Sequence, residues 1–240
     1  SEEERNIRDL VHRFAAEVMR PAGQALDRRS AEEVIARDSV LWDVHKKWND
    51  LGVHMFATGE SDFTPAQLAR LNCIVNEELG WGDAGLAISL TASKFPAMLA
   101  QTSQNPDLMA AFPATKIGCW AITEPDHGTD WLLAHTEENK DLKITPNVKA
   151  VKKGAEYIIN GQKSAWVSNG TIATHASLHV SLDPAQGMSG TGVAVVRLDL
   201  PGISRGIPLD KMGQRPLNQG EIFFEEVKIP KSWMLFPDPT

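Results

Sequence analysis

The sequence predicts an α+β protein: an all-helical domain over residues 1–113, then an antiparallel β-sandwich or barrel domain over residues 114–240. Three observations carry that prediction. Apolar residues recur at three- and four-residue steps through roughly the first 110 positions. From Ile117 onward the pattern changes to short alternating runs punctuated by Gly, Pro and Asn. The change falls near Phe112-Pro113, and neither side carries a repeat or a low-complexity segment.

Within the helical part, Ser1 with Glu4 makes a capping box. Ile7, Leu10, Val11, Phe14, Ala15, Val18 and Met19 then share one face until Pro21 stops the helix. Ser30 with Glu33 is a second capping box. Leu41, Val44, Trp48 and Leu51 mark a helix closed by Gly52. Thr64-Pro65 opens another, with Leu68, Leu71, Ile74, Val75 and Leu79 as its buried face and Gly80 as its end. Asp83 begins DAGLAISLTASKFPAMLA, whose small residues let a neighbour approach the backbone closely. Pro96 breaks it.

In the second part, Ile117 to Ile122 reads as a half-buried strand. Val148 to Val151 and Glu156 to Ile159 flank Lys152-Lys153-Gly154-Ala155 as a hairpin. Asn160-Gly161 signals a two-residue hairpin turn with Gln162 to Val167 as the partner strand, and Asn169-Gly170 marks a further turn. Ala176 to Ser181, Val193 to Leu198 and Glu221 to Ile229 complete about six strands, the pattern of a sandwich or barrel.

Composition narrows the function. At 240 residues the chain is long enough for one or two domains. A net charge of −7 leaves no basic field for nucleic acid. No apolar run approaches the ~20 residues of a membrane span. The acidic opening SEEERNIRDL resembles neither a signal nor a transit peptide. Cys73 and Cys119 lack C-x-x-C spacing and are expected as small buried hydrophobes in a reducing compartment, so the expected location is cytoplasmic.

Familiar catalytic patterns are missing. The seven histidines (His12, His45, His54, His127, His135, His175, His179) form no H-E-x-x-H motif, and no metal site is expected. There is no G-x-S-x-G elbow and no G-x-G-x-x-G fingerprint. What stands out is Gly118 to Asp130, GCWAITEPDHGTD, where a strand runs into a Thr-Glu-Pro turn and a glycine. Such an edge offers backbone N–H groups, hydroxyls and an aromatic ring to a planar, phosphate-bearing cofactor. An ordinary strand and turn with a capping Asp is the alternative.

Two further blocks follow in order, YIINGQKSAWVSNG from Tyr157 to Gly170 and KMGQRPLNQGEIFFEEVKIP from Lys211 to Pro230. Together the three blocks resemble the middle domain of the acyl-CoA dehydrogenase family, FAD enzymes that desaturate acyl-CoA thioesters by passing a β-hydride to flavin N5. The resemblance implies that Trp120, Ile122 and Thr123 lie against the isoalloxazine and that Gly128 and Thr129 reach the FAD pyrophosphate and the substrate. It implies further that Trp166 stacks beside the ring and that Ser168 hydrogen-bonds near N5. Ile88 and Thr91, on the small-residue helix, would line the acyl pocket. Partners implied are an acyl-CoA substrate, an electron-transfer flavoprotein, and either further copies of the chain or a subunit supplying a helical domain.

The sequence departs from the family pattern in three places. Asp126-His127 replaces a small pair in the first motif. Ser164-Ala165 puts one extra residue between Lys163 and Trp166, so the family equivalence of Lys163 is open. The family's C-terminal helical bundle, which carries the usual catalytic glutamate, is absent from residues 1–240, so the base is expected elsewhere. Glu124 is expected to fix its turn rather than abstract a proton. The alternatives within reach are an oxygen-using relative (an acyl-CoA oxidase or flavin monooxygenase) and a non-catalytic acyl-CoA-binding subunit.

Overall fold

The computed structural model describes residues 1–52, 63–133 and 141–236; His54 and His135 lie outside them. The chain folds as a helical N-terminal domain followed by a sheet domain. Helix α1, Glu2–Phe14, opens with the Ser1–Glu4 capping box. Pro21 does not stop it. The chain passes through a π-helical turn, Ala15–Met19, into α2, Arg20–Leu26, with Pro21 in the first turn of α2. The wider π turn places the proline ring and its missing N–H where the helix restarts, which removes the clash expected of a mid-helix proline.

The short α3, Ala31–Val34, carries the Ser30–Glu33 box, and α4, Val40–Asp50, ends before Gly52 at φ +70°. Thr64 caps α5, Pro65–Gly82, which runs one half-turn past the expected stop at Gly80. Asp83 accepts a hydrogen bond from Leu86 N at 2.8 Å and opens α6, Ala84–Ala92. The helix then breaks, and Pro96 falls in the first turn of α7, Phe95–Thr102. Helix α8, Pro106–Ala111, ends this domain. Val11, Phe14, Met19, Leu41, Trp48, Leu79 and Leu86 meet in its core. Burying each such side chain is worth about 1.5–3 kcal/mol.

The sheet domain has strands β1 Gly118–Ala121, β2 Lys149–Lys153, β3 Glu156–Lys163, β4 His175–Ser181, β5 Thr191–Arg197, β6 Ile203–Arg205, β7 Ile222–Pro230 and β8 Met234–Phe236. Their order is β6-β7-β3-β2-β4-β5-β8, with β1 against β4. Most pairings are antiparallel. The two parallel ones, β1–β4 and β2–β4, both fall on β4. One buried cluster joins Ile159 of β3 and Val227 of β7 to Leu178 of β4 and Val196 of β5, so both arms of the sheet pack on a single core. The outer face of β4 lies against α7, which is why β4 is buried on both faces although His175, Ser177, His179 and Ser181 make one of them polar.

Two expectations fail at one place. Asn160-Gly161 is not a hairpin turn but a β-bulge inside β3, where pairing with β7 shifts register between Ile159 and Gly161. Gly161 adopts φ +132°, and a Cβ there would stand 2.8 Å from the Cα of Val148. The Asn-Gly pair supplies the positive φ that a bulge also needs. Consequently Gln162 to Val167 is no partner strand. β3 ends at Lys163, and Ala165 turns the chain at φ +47°. The thiols also divide, since Cys119 is buried but Cys73 is exposed on α5.

Candidate functional site

A cavity of about 490 Å³ opens between the end of β1, the segment after β3, and helices α5–α7. Its sheet wall carries Trp120, Ile122, Thr123, Trp166 and Ser168, and its helix wall carries Ile88 and Thr91. Two motifs some forty residues apart and a helix from the other domain therefore share one surface. The lining is mostly apolar, with the Thr123 and Ser168 hydroxyls on the sheet side. Trp166 is 60% exposed and Trp120 36%, high values for indoles at the edge of a core. A flat aromatic ligand with polar edges fits such a wall: indoles to pack on its ring and hydroxyls at its rim.

Gly128 and Thr129 are not among the cavity-lining residues. Thr129 begins a 3₁₀ turn, Thr129–Leu133, and Gly128 N donates to Asp130 Oδ1 at 2.6 Å. His127 Nδ1 lies 2.6 Å from Asp130 Oδ2. The Gly128 amide is thus already used within its own turn.

Behind the sheet wall lies a buried ion pair. Lys163 Nζ donates to Glu124 Oε1 at 2.7 Å and to the Ile122 carbonyl at 2.9 Å, and sits 4.6 Å from the Trp131 ring centroid. Glu124 also accepts from Asn147 N at 2.5 Å and Val148 N at 3.2 Å. Both side chains are fully buried. Burial lowers the Lys163 ammonium to about 8, and the Glu124 carboxylate beside it opposes that shift. Glu124 therefore fixes its turn, as the sequence predicts of a carboxylate before Pro125. Thr123 Oγ1 donates to the Ser164 carbonyl at 3.1 Å while Ser164 N donates to the Thr123 carbonyl at 3.0 Å. His179 Nε2 accepts from Trp120 Nε1 at 2.9 Å. Its pKa falls to about 3, chiefly through burial and secondarily through the charge of Lys163.

A second polar cluster joins the two domains beside Ser168. Asn169, at φ +63°, is fully buried. Its Nδ2 donates to the carbonyls of Ser89 (2.8 Å) and Gly118 (3.0 Å), and its Oδ1 accepts from Ser89 Oγ at 2.7 Å. His45 Nε2 lies 3.0 Å from that same Ser89 oxygen. Helices α4 and α6, strand β1 and the residue after Ser168 are thereby tied together.

Sequence reasoning missed several lining residues, among them Asn76, Gly80, Ala84, Ala87 and Phe95. Ala84, Ala87 and Phe95 stand at helix-like steps from Ile88 and Thr91, so periodicity could have named them. Nothing in the sequence pointed to Lys163 or Asn169 as fasteners. Among the described residues no group of three His, Cys, Asp or Glu side chains is placed to hold a metal, and no helix is long and apolar enough to cross a membrane.

The helix-plus-sheet architecture and the cavity walled by indoles and hydroxyls at the junction of the two parts define the fold to be compared with known proteins. Residues 1–104 match the acyl-CoA dehydrogenase N-terminal domain and residues 119–227 the middle domain of the same family. The chain belongs to the acyl-CoA dehydrogenase family. It is 28% identical over 236 residues to cyclohex-1-ene-1-carbonyl-CoA dehydrogenase of Syntrophus aciditrophicus (strain SB), covering 96% of this chain and 52% of that protein. It is 27% identical to mitochondrial isovaleryl-CoA dehydrogenase of Pongo abelii, covering 98% of this chain and 53% of that one. The chain thus spans about half the length of the curated relatives it matches. Among solved structures, butyryl-CoA dehydrogenase from Megasphaera elsdenii superposes with a TM-score of 0.77 at 23% identity, covering 98% of this chain and 58% of the other.

Proposed function

We propose that this chain supplies the flavin- and substrate-facing walls of an FAD-dependent acyl-CoA dehydrogenase acting on the α,β bond of an acyl thioester. The observation that carries the proposal is the shared cavity, which unites both sequence motifs with the small-residue face of α6. FAD, when bound, supplies the hydride acceptor. The protein's residues do the rest. Trp120 and Trp166 flank the ring. Ser168 offers a hydroxyl to its polar edge, where donors stabilise the charge that reduction creates; the Thr123 hydroxyl, which donates to the Ser164 carbonyl, has to turn for the same role. Ala87, Ile88 and Thr91 receive the acyl chain and exclude water from it.

Glu124 is sealed beneath the wall in its pair with Lys163, and Asp130 is engaged by His127 and Gly128. No carboxylate stands among the described residues that line the cavity, so the base that removes the α-proton is proposed to be a carboxylate outside residues 1–240. Gly128 and Thr129 are retained as phosphate and substrate contacts on the family motif alone; the bond from Gly128 N to Asp130 has to open for that role. An electron-transfer flavoprotein as acceptor, and assembly with further subunits, belong to the same proposal.

The test is to titrate the complete protein with FAD and then with acyl-CoAs of graded length under anaerobic conditions. Loss of the oxidised-flavin absorbance together with formation of the 2-enoyl thioester is the expected result. Flavin binding without bleaching by any acyl-CoA sinks the dehydrogenase reading. An oxygen-using relative is the second reading, since a prolyl acyl carrier protein oxidase shares this fold (TM-score 0.74, 24% identity). Rapid reoxidation of the reduced flavin by air would select it.

A further inference from the structure

A second cavity, about 460 Å³, opens between the two domains at the start of β1, the opposite end of that strand from the flavin-type cavity. Four stretches of chain build it. The stretch after α8 brings Pro113 and Lys116, the start of β4 brings His175, and β5–β6 bring Arg197 and Arg205. Three cations there face one carboxylate, Asp199, in a chain whose net charge is −7.

Two of the three cations are held in place. Arg205 donates from Nη1 to the Thr171 carbonyl at 2.8 Å and from Nη2 to the Ala173 carbonyl at 2.5 Å, which pins its guanidinium in the wall. Arg197 meets Asp199 through Nε and Nη2. Lys116 makes no ion pair among the described residues. His175 Nε2 lies 3.2 Å from the Ala111 carbonyl, which can only accept, so that nitrogen carries the hydrogen. Nδ1 is then the acceptor facing the Thr174 hydroxyl at 2.7 Å. Burial lowers the His175 pKa. Arg197 and Lys116 lower it further, while the bond to Ala111 and the charge of Asp199 oppose them. Two cations from different elements thus act on one ring, and their field converges inside the cleft.

We propose that this interdomain cleft binds the phosphate group of a small ligand, with Lys116 and Arg197 meeting its oxygens and Arg205 supplying fixed charge behind them. An excess of two positive charges suits a dianion. The cavity is much larger than a bare ion, and Ala110 and Pro113 offer apolar surface to an organic portion. Nothing in this site depends on the flavin reading. Because its walls come from both domains, an occupant bound to the folded state should stabilise their junction.

The experiment titrates inorganic phosphate and, separately, glycerol 3-phosphate into the protein at constant ionic strength, following the imidazole resonances of His175 and the thermal midpoint. The His175 signal is assigned by its loss in His175→Asn. A saturable shift with a raised midpoint is expected, and Lys116→Ala or Arg197→Gln should each weaken binding roughly tenfold, the value of a charge-assisted hydrogen bond. Lys228→Ala removes the same charge from an exposed site on β7 and should leave binding unchanged. Tighter binding of glycerol 3-phosphate identifies a phosphorylated metabolite as the source, and equal binding identifies free phosphate. The proposal is overturned if neither compound gives a saturable shift, or if Lys228→Ala weakens binding as much as Lys116→Ala.

Discussion

The two walls of the flavin-type cavity differ in the balance of forces that holds them. The sheet wall rests on buried polar bonds: Glu124 with Lys163 beneath Ile122 and Thr123, and Asn169 beside Ser168. The helix wall is mainly apolar packing, with Leu86 and Leu90 of α6 buried in the helical core, Ser89 tied to Asn169 and His45 at its back, and Ile88 and Thr91 left facing the cavity. Polar fasteners set positions to within hydrogen-bond tolerance, which suits a wall that must present donors to a fixed ring. Apolar packing tolerates changes of volume, which suits a wall that sets the shape of a substrate pocket.

Breaking the sheet wall should cost most. Lys163→Met leaves the Glu124 carboxylate buried and unpaired, and should lower unfolding stability by about 3–5 kcal/mol in denaturant titrations. Adding Glu124→Gln should recover much of that loss. If the single variant is as stable as the parent, the ion pair is no fastener.

Acid acts on both walls together. His45 behind α6 is lowered to about 4 by burial, and His179 behind Trp120 to about 3, chiefly by burial. Between those values and about 6.5 the unfolded chain binds more protons than the folded one, so stability falls as pH drops through that window. The His45 contribution alone is on the order of 3 kcal/mol. Protonated His179 can no longer accept from Trp120, so Trp120 fluorescence in the folded protein should change as pH falls towards about 3. A stability profile flat from pH 7 to 4.5 would contradict this.

Ser168→Val removes one donor without disturbing the wall. In the complete enzyme it should lower the flavin reduction potential and slow the reductive half-reaction by about 10²-fold. Unchanged potential and rate would return Ser168 to an ordinary segment-end hydroxyl. Asn169→Ala strips partners from Ser89 and the Gly118 carbonyl, and about 1–3 kcal/mol of stability should go with it. Differential scanning calorimetry should show looser coupling of the two domains.

The helix wall should respond differently. Thr91→Trp should move stability by less than about 1.5 kcal/mol while shortening the acyl chain the enzyme accepts. A chain-length profile identical to the parent's would make α6 packing alone.

The bulge at Gly161 shows the limit of local signals. Asn-Gly specifies positive φ, and both a hairpin turn and a bulge use it. Only the pairing of β3 with β7 across 66 residues, seen where Asn160 Nδ2 donates to Glu226 Oε1, decides between them. Pro21 is a similar case, since a π turn upstream made room that no propensity announces.

By itself the sequence determined the helical and sheet domains, the caps at Ser1, Ser30, Thr64 and Asp83, and the two motifs that meet at the cavity. These depend on periodicity and on side chains bonding their own backbone, both local properties. Tertiary structure alone decided that Lys163 lies beneath Ile122, that Asn169 fastens α6 to β1, and that Lys116, Arg197 and Arg205 share a cleft. A buried lysine and an exposed one read alike in a sequence. Which it becomes depends on a carboxylate brought to it by the turn after another strand, through the packing of the whole fold.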